Sequence, residues 1–284
     1  MKVVLVLGGG GAKSIAHAGA WRALREQGAE IVHIVGTSMG AVLGAAFAGG
    51  STPEQVVETA RSLTARDIAT IDPLAFVKGL FATSLLKASV VKRTIGRFVS
   101  ATRFADLGIP LTVTTTDVES GELVLFGAGT AIGPVRHLGA DAPLLEVLYA
   151  SCALPLYFPP AELCGRRLGD GGLRTTLPIE VAAGIGSGDL VVAVDVGPGF
   201  DEPPAPPRSG LLPPPLIRAH GEAIRIMMAA ETERAIAAWP EGGGPRLVVV
   251  RAVAEREATF ARGQTDRYVA AGYAATRAAL ANDN

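Results

Sequence analysis

Residues 31–50 read IVHIVGTSMGAVLGAAFAGG. The first five form a β-branched run broken only by His33, which fits a strand buried in a sheet. Residues 39–48 are small and apolar, suit a helix, and stop at Gly49-Gly50. Between the two lies Gly36-Thr37-Ser38-Met39-Gly40, a G-x-S-x-G motif in the strand–turn–helix setting that gives it chemical meaning. The serine sits on a sharp turn that lifts its hydroxyl off the strand end. Glycines on either side remove the Cβ atoms that would crowd that turn. The helix beginning there supplies free N–H groups and a positive dipole end, which favour a developing anion. Ser38 is therefore a candidate nucleophile.

Upstream, residues 3–7 form a second short strand. It runs into Gly8-Gly9-Gly10-Gly11-Ala12-Lys13, and residues 12–27 then read as a helix closed by Gly28. Glycine amides at a helix N-terminus cradle anions. A P-loop needs G-x-x-x-x-G-K-[ST], and here Leu7 and Ala12 hold the glycine positions. A dinucleotide fingerprint fails too, because Lys13 or Ser14 replaces its last glycine and no acidic residue closes a second strand. The oxyanion of acyl transfer is the one remaining anion that also uses Ser38. If these two strands are parallel neighbours, both loops emerge at one edge of the sheet.

Downstream, Thr52-Pro53-Glu54-Gln55 carries a capping hydroxyl, a first-turn proline and a glutamine three positions on, which marks a helix start. Residues 111–116, 123–126, 161–168, 190–196 and 247–250 read as strands, and 216–239 and 265–281 as helices. Alternating strands and helices predict an α/β fold of three layers around a mainly parallel sheet. Residues 1–200 form the expected core. Residues 201–284, with a strand and helices, are expected to pack on the same domain. Seven prolines within residues 203–215 read as a stiff surface connector.

The chain has 284 residues, 49% hydrophobic and 19% charged, with mean hydropathy +0.34. That composition buries a core and excludes a disordered chain. Two cysteines, Cys152 and Cys164, make no disulfide framework and no zinc spacing. Neither a metal nor any other cofactor is expected. The five-residue apolar run after Lys2 is too short for a signal-peptide core, and no run of about 18 apolar residues occurs. The expected location is the cytoplasm. A net charge of −1 argues against a basic nucleic-acid binder. Yet residues 73–105 hold Lys78, Lys87, Lys92, Arg93, Arg97 and Arg103 with no acid, so the remainder sums to −7. This apolar, basic segment reads either as a solvated helical face or as a cap over the site with peripheral membrane contact. Each charge near an anionic surface would contribute roughly 1 kcal/mol.

An activated serine needs a base. His17 and His33 read as structural. His220 follows Asp195, so a Ser38–Asp195–His220 triad is formally possible, although the elbow comes early for that arrangement. The other candidate is Asp170 in Gly169-Asp170-Gly171-Gly172, a sequence that equally suits a plain turn.

Taken together in order, these pieces resemble the patatin-like phospholipase family across roughly residues 1–200. The resemblance rests on Gly9 to Lys13, Gly36 to Gly40, Ile109-Pro110-Leu111 through Asp117 and Gly121-Glu122. It continues through Ala150-Ser151-Cys152-Ala153-Leu154-Pro155, Phe158-Pro159-Pro160 and Asp170-Gly171-Gly172. The likeness implies a serine–aspartate dyad without histidine, Ser38 as nucleophile and Asp170 as base. It also implies an oxyanion hole from the loop containing Gly9, Gly10, Gly11 and Ala12. Lys13, Gly36, Gly40, Gly171 and Gly172 complete the motifs. The implied activity is a lipid acyl hydrolase acting on carboxylic esters. A Ser–His–Asp esterase and a catalytically silent lipid-binding protein are the other readings. Ser14 and Cys152 depart from the usual pattern, which has glycine and commonly serine there. Cys152 reads as a small buried residue, and Asp117 as structural.

Overall fold

The computed structural model describes residues 1–68, 84–129, 135–186, 188–200, 215–240, 244–253 and 263–282. Nine strands among them join one sheet: β1 (Lys2–Leu7), β2 (Glu30–Thr37), β3 (Leu111–Asp117), β4 (Leu123–Gly127), β5 (Arg136–His137), β6 (Ala161–Leu163), β7 (Arg166–Asp170), β8 (Leu190–Asp195) and β9 (Arg246–Arg251). Their order is β5-β4-β3-β2-β1-β8-β9, with β7 pairing β3 and β6 pairing β7. The run from β3 through β9 is parallel. The helices are α1 (Ala16–Glu26), α2 (Met39–Ala48), α3 (Pro53–Ser62), α4 (Ala65–Ile68), α5 (Ala88–Phe98), α6 (Leu144–Ser151), α7 (Ile179–Ala183), α8 (Pro215–Ala237) and α9 (Thr265–Asn282).

Parallel strands covered on both faces are apolar on both faces. Val3, Leu5 and Leu7 of β1 face a core shared with Leu24 of α1 and Leu43 of α2. Val4 and Val6 face a second core with Val181 of α7 and Val191 of β8. The two cores give the three layers. Thr52 caps α3 through the amide of Gln55, whose side chain returns to the Thr52 amide, as the sequence expects. At the far edge β9 extends the sheet beside β8.

Two elements differ from expectation. Residues 161–168 are not one strand: β6 and β7 form a hairpin that turns at Cys164 and Gly165, both at positive φ (52° and 70°). A two-residue turn of this hand matches strand twist, but Cys-Gly lacks the usual Asn-Gly signature. The helix expected from residue 12 opens instead as a 3₁₀ turn (Gly11–Ile15), and α1 starts at Ala16. Its end is as expected, with Gly28 in the left-handed region.

The register places the site. Parallel β1 and β2 align Leu7 with Gly36, so the glycine loop and the elbow leave the sheet side by side. On β3, Thr114 pairs with Thr37 at the end of β2, and the next residue, Thr115, pairs with Asp170 of β7. One strand thus sets the serine turn and the aspartate turn in adjacent positions. Of the basic segment, residues 73–83 lie outside the described residues, as does most of the proline-rich loop. No helix among the described residues is long and apolar enough to cross a membrane.

Candidate active site

Ser38 lies at the N-terminus of α2 with φ 54° and ψ −130°, a strained conformation for a residue with a side chain. The flanking glycines permit it. A Cβ on Gly36 would lie 2.5 Å from the Ala41 Cα, and one on Gly40 would strike the Leu7 carbonyl. The Ser38 amide donates to Ser151 Oγ at 2.8 Å, anchoring the elbow to the end of α6.

The Ser38 hydroxyl donates to Asp170 Oδ2 at 2.9 Å. The other carboxylate oxygen accepts the Gly172 amide at 2.8 Å. The backbone of Asp170 is fixed as well: its amide donates to the Ala153 carbonyl at 3.0 Å, and its carbonyl accepts Thr116 Oγ1 at 2.9 Å. Burial raises the Asp170 carboxyl to about 6, against the opposing bonds from Gly172 and Ser38.

The glycine loop is held from behind. The Gly8 amide donates to the Val194 carbonyl (3.1 Å) and the Gly9 amide to the Thr176 carbonyl (2.9 Å). His17 contacts the Gly8 carbonyl through Nε2 at 2.9 Å, and burial lowers it to about 4, so it stays neutral and donates. Lys13 Nζ donates to the Gly197 carbonyl at 2.9 Å. With the Gly9 amide occupied, the Gly10 and Gly11 amides have no acceptor among the described residues. Both residues, and Ala12, line the same cavity as Ser38.

The structure does not assemble the histidine triad. Ser38 Oγ is on Asp170, His220 Nε2 has no hydrogen-bond partner among the described residues, and Asp195 Oδ1 accepts the Gly197 amide at 2.9 Å. Cys152 lines the cavity, and burial, then the Asp170 charge, push its thiol up, so it remains protonated. Asp117 is paired with Arg166 at 2.5 Å and is not among the residues that line the Ser38 cavity. Sequence reasoning missed Ser151, Thr116 and Thr176 as supports. The run Thr114-Thr115-Thr116 in a buried strand was the available signal.

Ser38 and Asp170 open on a cavity of about 430 Å³ with mainly apolar walls. Leu43, Val91, Ile95, Phe98, Phe158 and Tyr268 line it, with Arg61, Asp67 and Asp266 among its polar groups. Three of the wall residues belong to α5, so the described part of the basic segment flanks the site. Lys92 pairs with Glu146, Arg97 with Asp67 and Arg103 with Asp106. Among the described residues no three His, Cys, Asp or Glu side chains converge to hold a metal.

Fold and site together define an α/β protein with a serine elbow and a buried aspartate at the C-terminal edge of a parallel sheet. Residues 5–183 match the family described as patatin-like phospholipase. The chain belongs to that family. It is 36% identical over 209 residues to an uncharacterized NTE family protein of Mycobacterium tuberculosis, covering 72% of this chain and 52% of that one. It is 30% identical over 199 residues to human patatin-like phospholipase domain-containing protein 6, covering 69% of this chain and 13% of that one. The chain thus spans about half the length of the mycobacterial relative. The crystal structure of VipD from Legionella pneumophila aligns with a TM-score of 0.49 at 16% identity, over 99% of this chain and 66% of that one.

Proposed function

We propose that the protein is a serine acyl hydrolase that cleaves carboxylic esters of lipids. The observation that carries this reading is the 2.9 Å bond from Ser38 Oγ to Asp170 Oδ2 at the wall of an apolar cavity. That distance lies within general-base reach. Ser38 Oγ attacks the ester carbonyl carbon while its proton passes to Asp170 Oδ2. The carbonyl oxygen becomes an oxyanion and receives the Gly10 and Gly11 amides. The ester C–O bond then breaks, and the alcohol leaves with the proton from Asp170. A water repeats the sequence on the acyl-serine, losing its proton to Asp170 and releasing the fatty acid. A carboxyl at about 6 is mostly ionised at neutral pH and more basic than an ordinary aspartate. The apolar walls suit an acyl chain. Contact with an anionic lipid surface would fall to Lys87 and Arg93, both exposed, and to the rest of segment 73–105.

A fluorophosphonate probe tests this. It is expected to label Ser38 in the wild type, not at all in Ser38→Ala, and about 10³-fold more slowly in Asp170→Asn. Labelling that persists in Ser38→Ala, or full ester turnover in Asp170→Asn, overturns the assignment.

A further inference from the structure

Helix α8 lies beyond the family-matched residues 5–183, yet it reaches the site. Its Glu231 accepts the Thr176 amide at 3.0 Å through Oε2. Thr176 in turn touches two catalytic loops. Its carbonyl accepts the Gly9 amide at 2.9 Å. Its hydroxyl donates to the carbonyl of Gly172, the residue whose amide holds Asp170, at 3.4 Å. One residue earlier, the Thr175 carbonyl accepts the hydroxyl of Thr37, which precedes the serine, at 3.1 Å. Residues 175 and 176 therefore join the glycine loop, the elbow and the aspartate turn, and Glu231 grips them from outside. One turn before it, Met228 lines the cavity.

Thr176 is buried, so without Glu231 its amide would be an unsatisfied buried donor. The loop would shift to find another partner and draw Gly9 with it. Gly10 and Gly11 follow Gly9 directly, so their amides would turn with the chain. We propose that Glu231 is a positioning residue: by holding Thr176, it keeps the Gly10 and Gly11 amides aimed at the developing oxyanion. This rests on the acyl-hydrolase reading above.

The surroundings give the role a signature in pH. Glu231 faces Glu180 of α7, beside Arg174, and Arg234 of its own helix. Burial raises its carboxyl to about 7, opposed by the Thr176 bond and reinforced by Glu180. A carboxylate accepts an N–H more strongly than the neutral acid does, so turnover gains as Glu231 ionises.

The test measures kcat and KM on a soluble p-nitrophenyl ester from about pH 5 to about pH 9, a range that brackets both carboxyls. Wild type, Glu231→Ala and Glu231→Gln are compared. Glu231→Ala is expected to lose about 10-fold in kcat, with KM within about twofold. Glu231→Gln keeps a neutral acceptor, so it recovers most of that loss and lacks the rise near 7. Wild-type kcat in Glu231→Ala, or equal losses in both variants, overturns the role. If Glu231→Ala does not fold, a rise near 7 retained in Glu231→Gln overturns it. Absence of Ser38 labelling in the wild type instead sinks the hydrolase reading, and Glu231's role with it.

Discussion

The two turns that bring Ser38 and Asp170 together are held by different balances of exclusion and hydrogen bonding. The serine turn is held chiefly by exclusion: it carries a positive φ, at Gly36 and Gly40 neighbouring backbone fills the space of a Cβ, and one directed bond runs from its amide to Ser151. The aspartate turn shares such exclusion at Gly171, where a Cβ would meet the Thr114 carbonyl, and adds directed bonds: Asp170 accepts from the Gly172 amide and the Thr116 hydroxyl and donates to the Ala153 carbonyl. A turn held by exclusion fails at once when an atom is added, because backbone cannot rotate aside. A turn held by several bonds weakens one bond at a time. In the mechanism proposed above, the serine needs the stricter support because its attack angle depends on it, whereas the aspartate needs burial and a donor to set its basicity.

Gly40→Ala is the largest expected effect. The added methyl meets the Leu7 carbonyl, and the variant is expected to lose soluble folded yield or Ser38 labelling altogether. Wild-type labelling would break the comparison. Next comes pH. Asp170 with a carboxyl at about 6 is protonated below that value and then cannot take the serine proton. Turnover is expected to fall by about 10-fold per pH unit on the acid side. The sign for stability is opposite: the raised carboxyl favours the folded state below the ordinary aspartate range, and that contribution is lost as pH rises through about 6. A flat rate from pH 5 to 7, roughly the span around that carboxyl, would remove Asp170 as the base. The smallest effect belongs to Thr116→Val, which deletes one of the bonds on the aspartate turn. A net loss of about 1 kcal/mol in unfolding free energy is expected, with labelling slowed by less than about 10-fold. Complete loss of labelling would show that this turn is as brittle as the elbow.

Much of the fold was legible from residue pattern. The β-branched runs at 3–7 and 31–35 became β1 and β2, and the capping box at Thr52 opens α3. Ser38 was legible because its turn needs local glycines. Asp170 was legible only as an aspartate between glycines until the ordered motifs were read together. The hairpin at Cys164 was not, because its turn residues are unusual for their conformation. Ser151 and Glu231 were not, because they act across the chain: Ser151 meets Ser38 over 113 residues and Glu231 meets Thr176 over 55.

By itself, the sequence determined the chemistry on offer: a serine on a glycine-flanked elbow, a glycine loop at a helix start, and a family order linking both to an aspartate. Those features depend on local sterics and hydrogen bonding, which short stretches encode. Only the tertiary structure decided which groups meet. It set Asp170, not His220, on the Ser38 hydroxyl, and it occupied the Gly9 amide while leaving those of Gly10 and Gly11 without an acceptor among the described residues. It also raised the Asp170 carboxyl to about 6 by burying it. Basicity follows desolvation and donor count, and both are properties of the packed molecule.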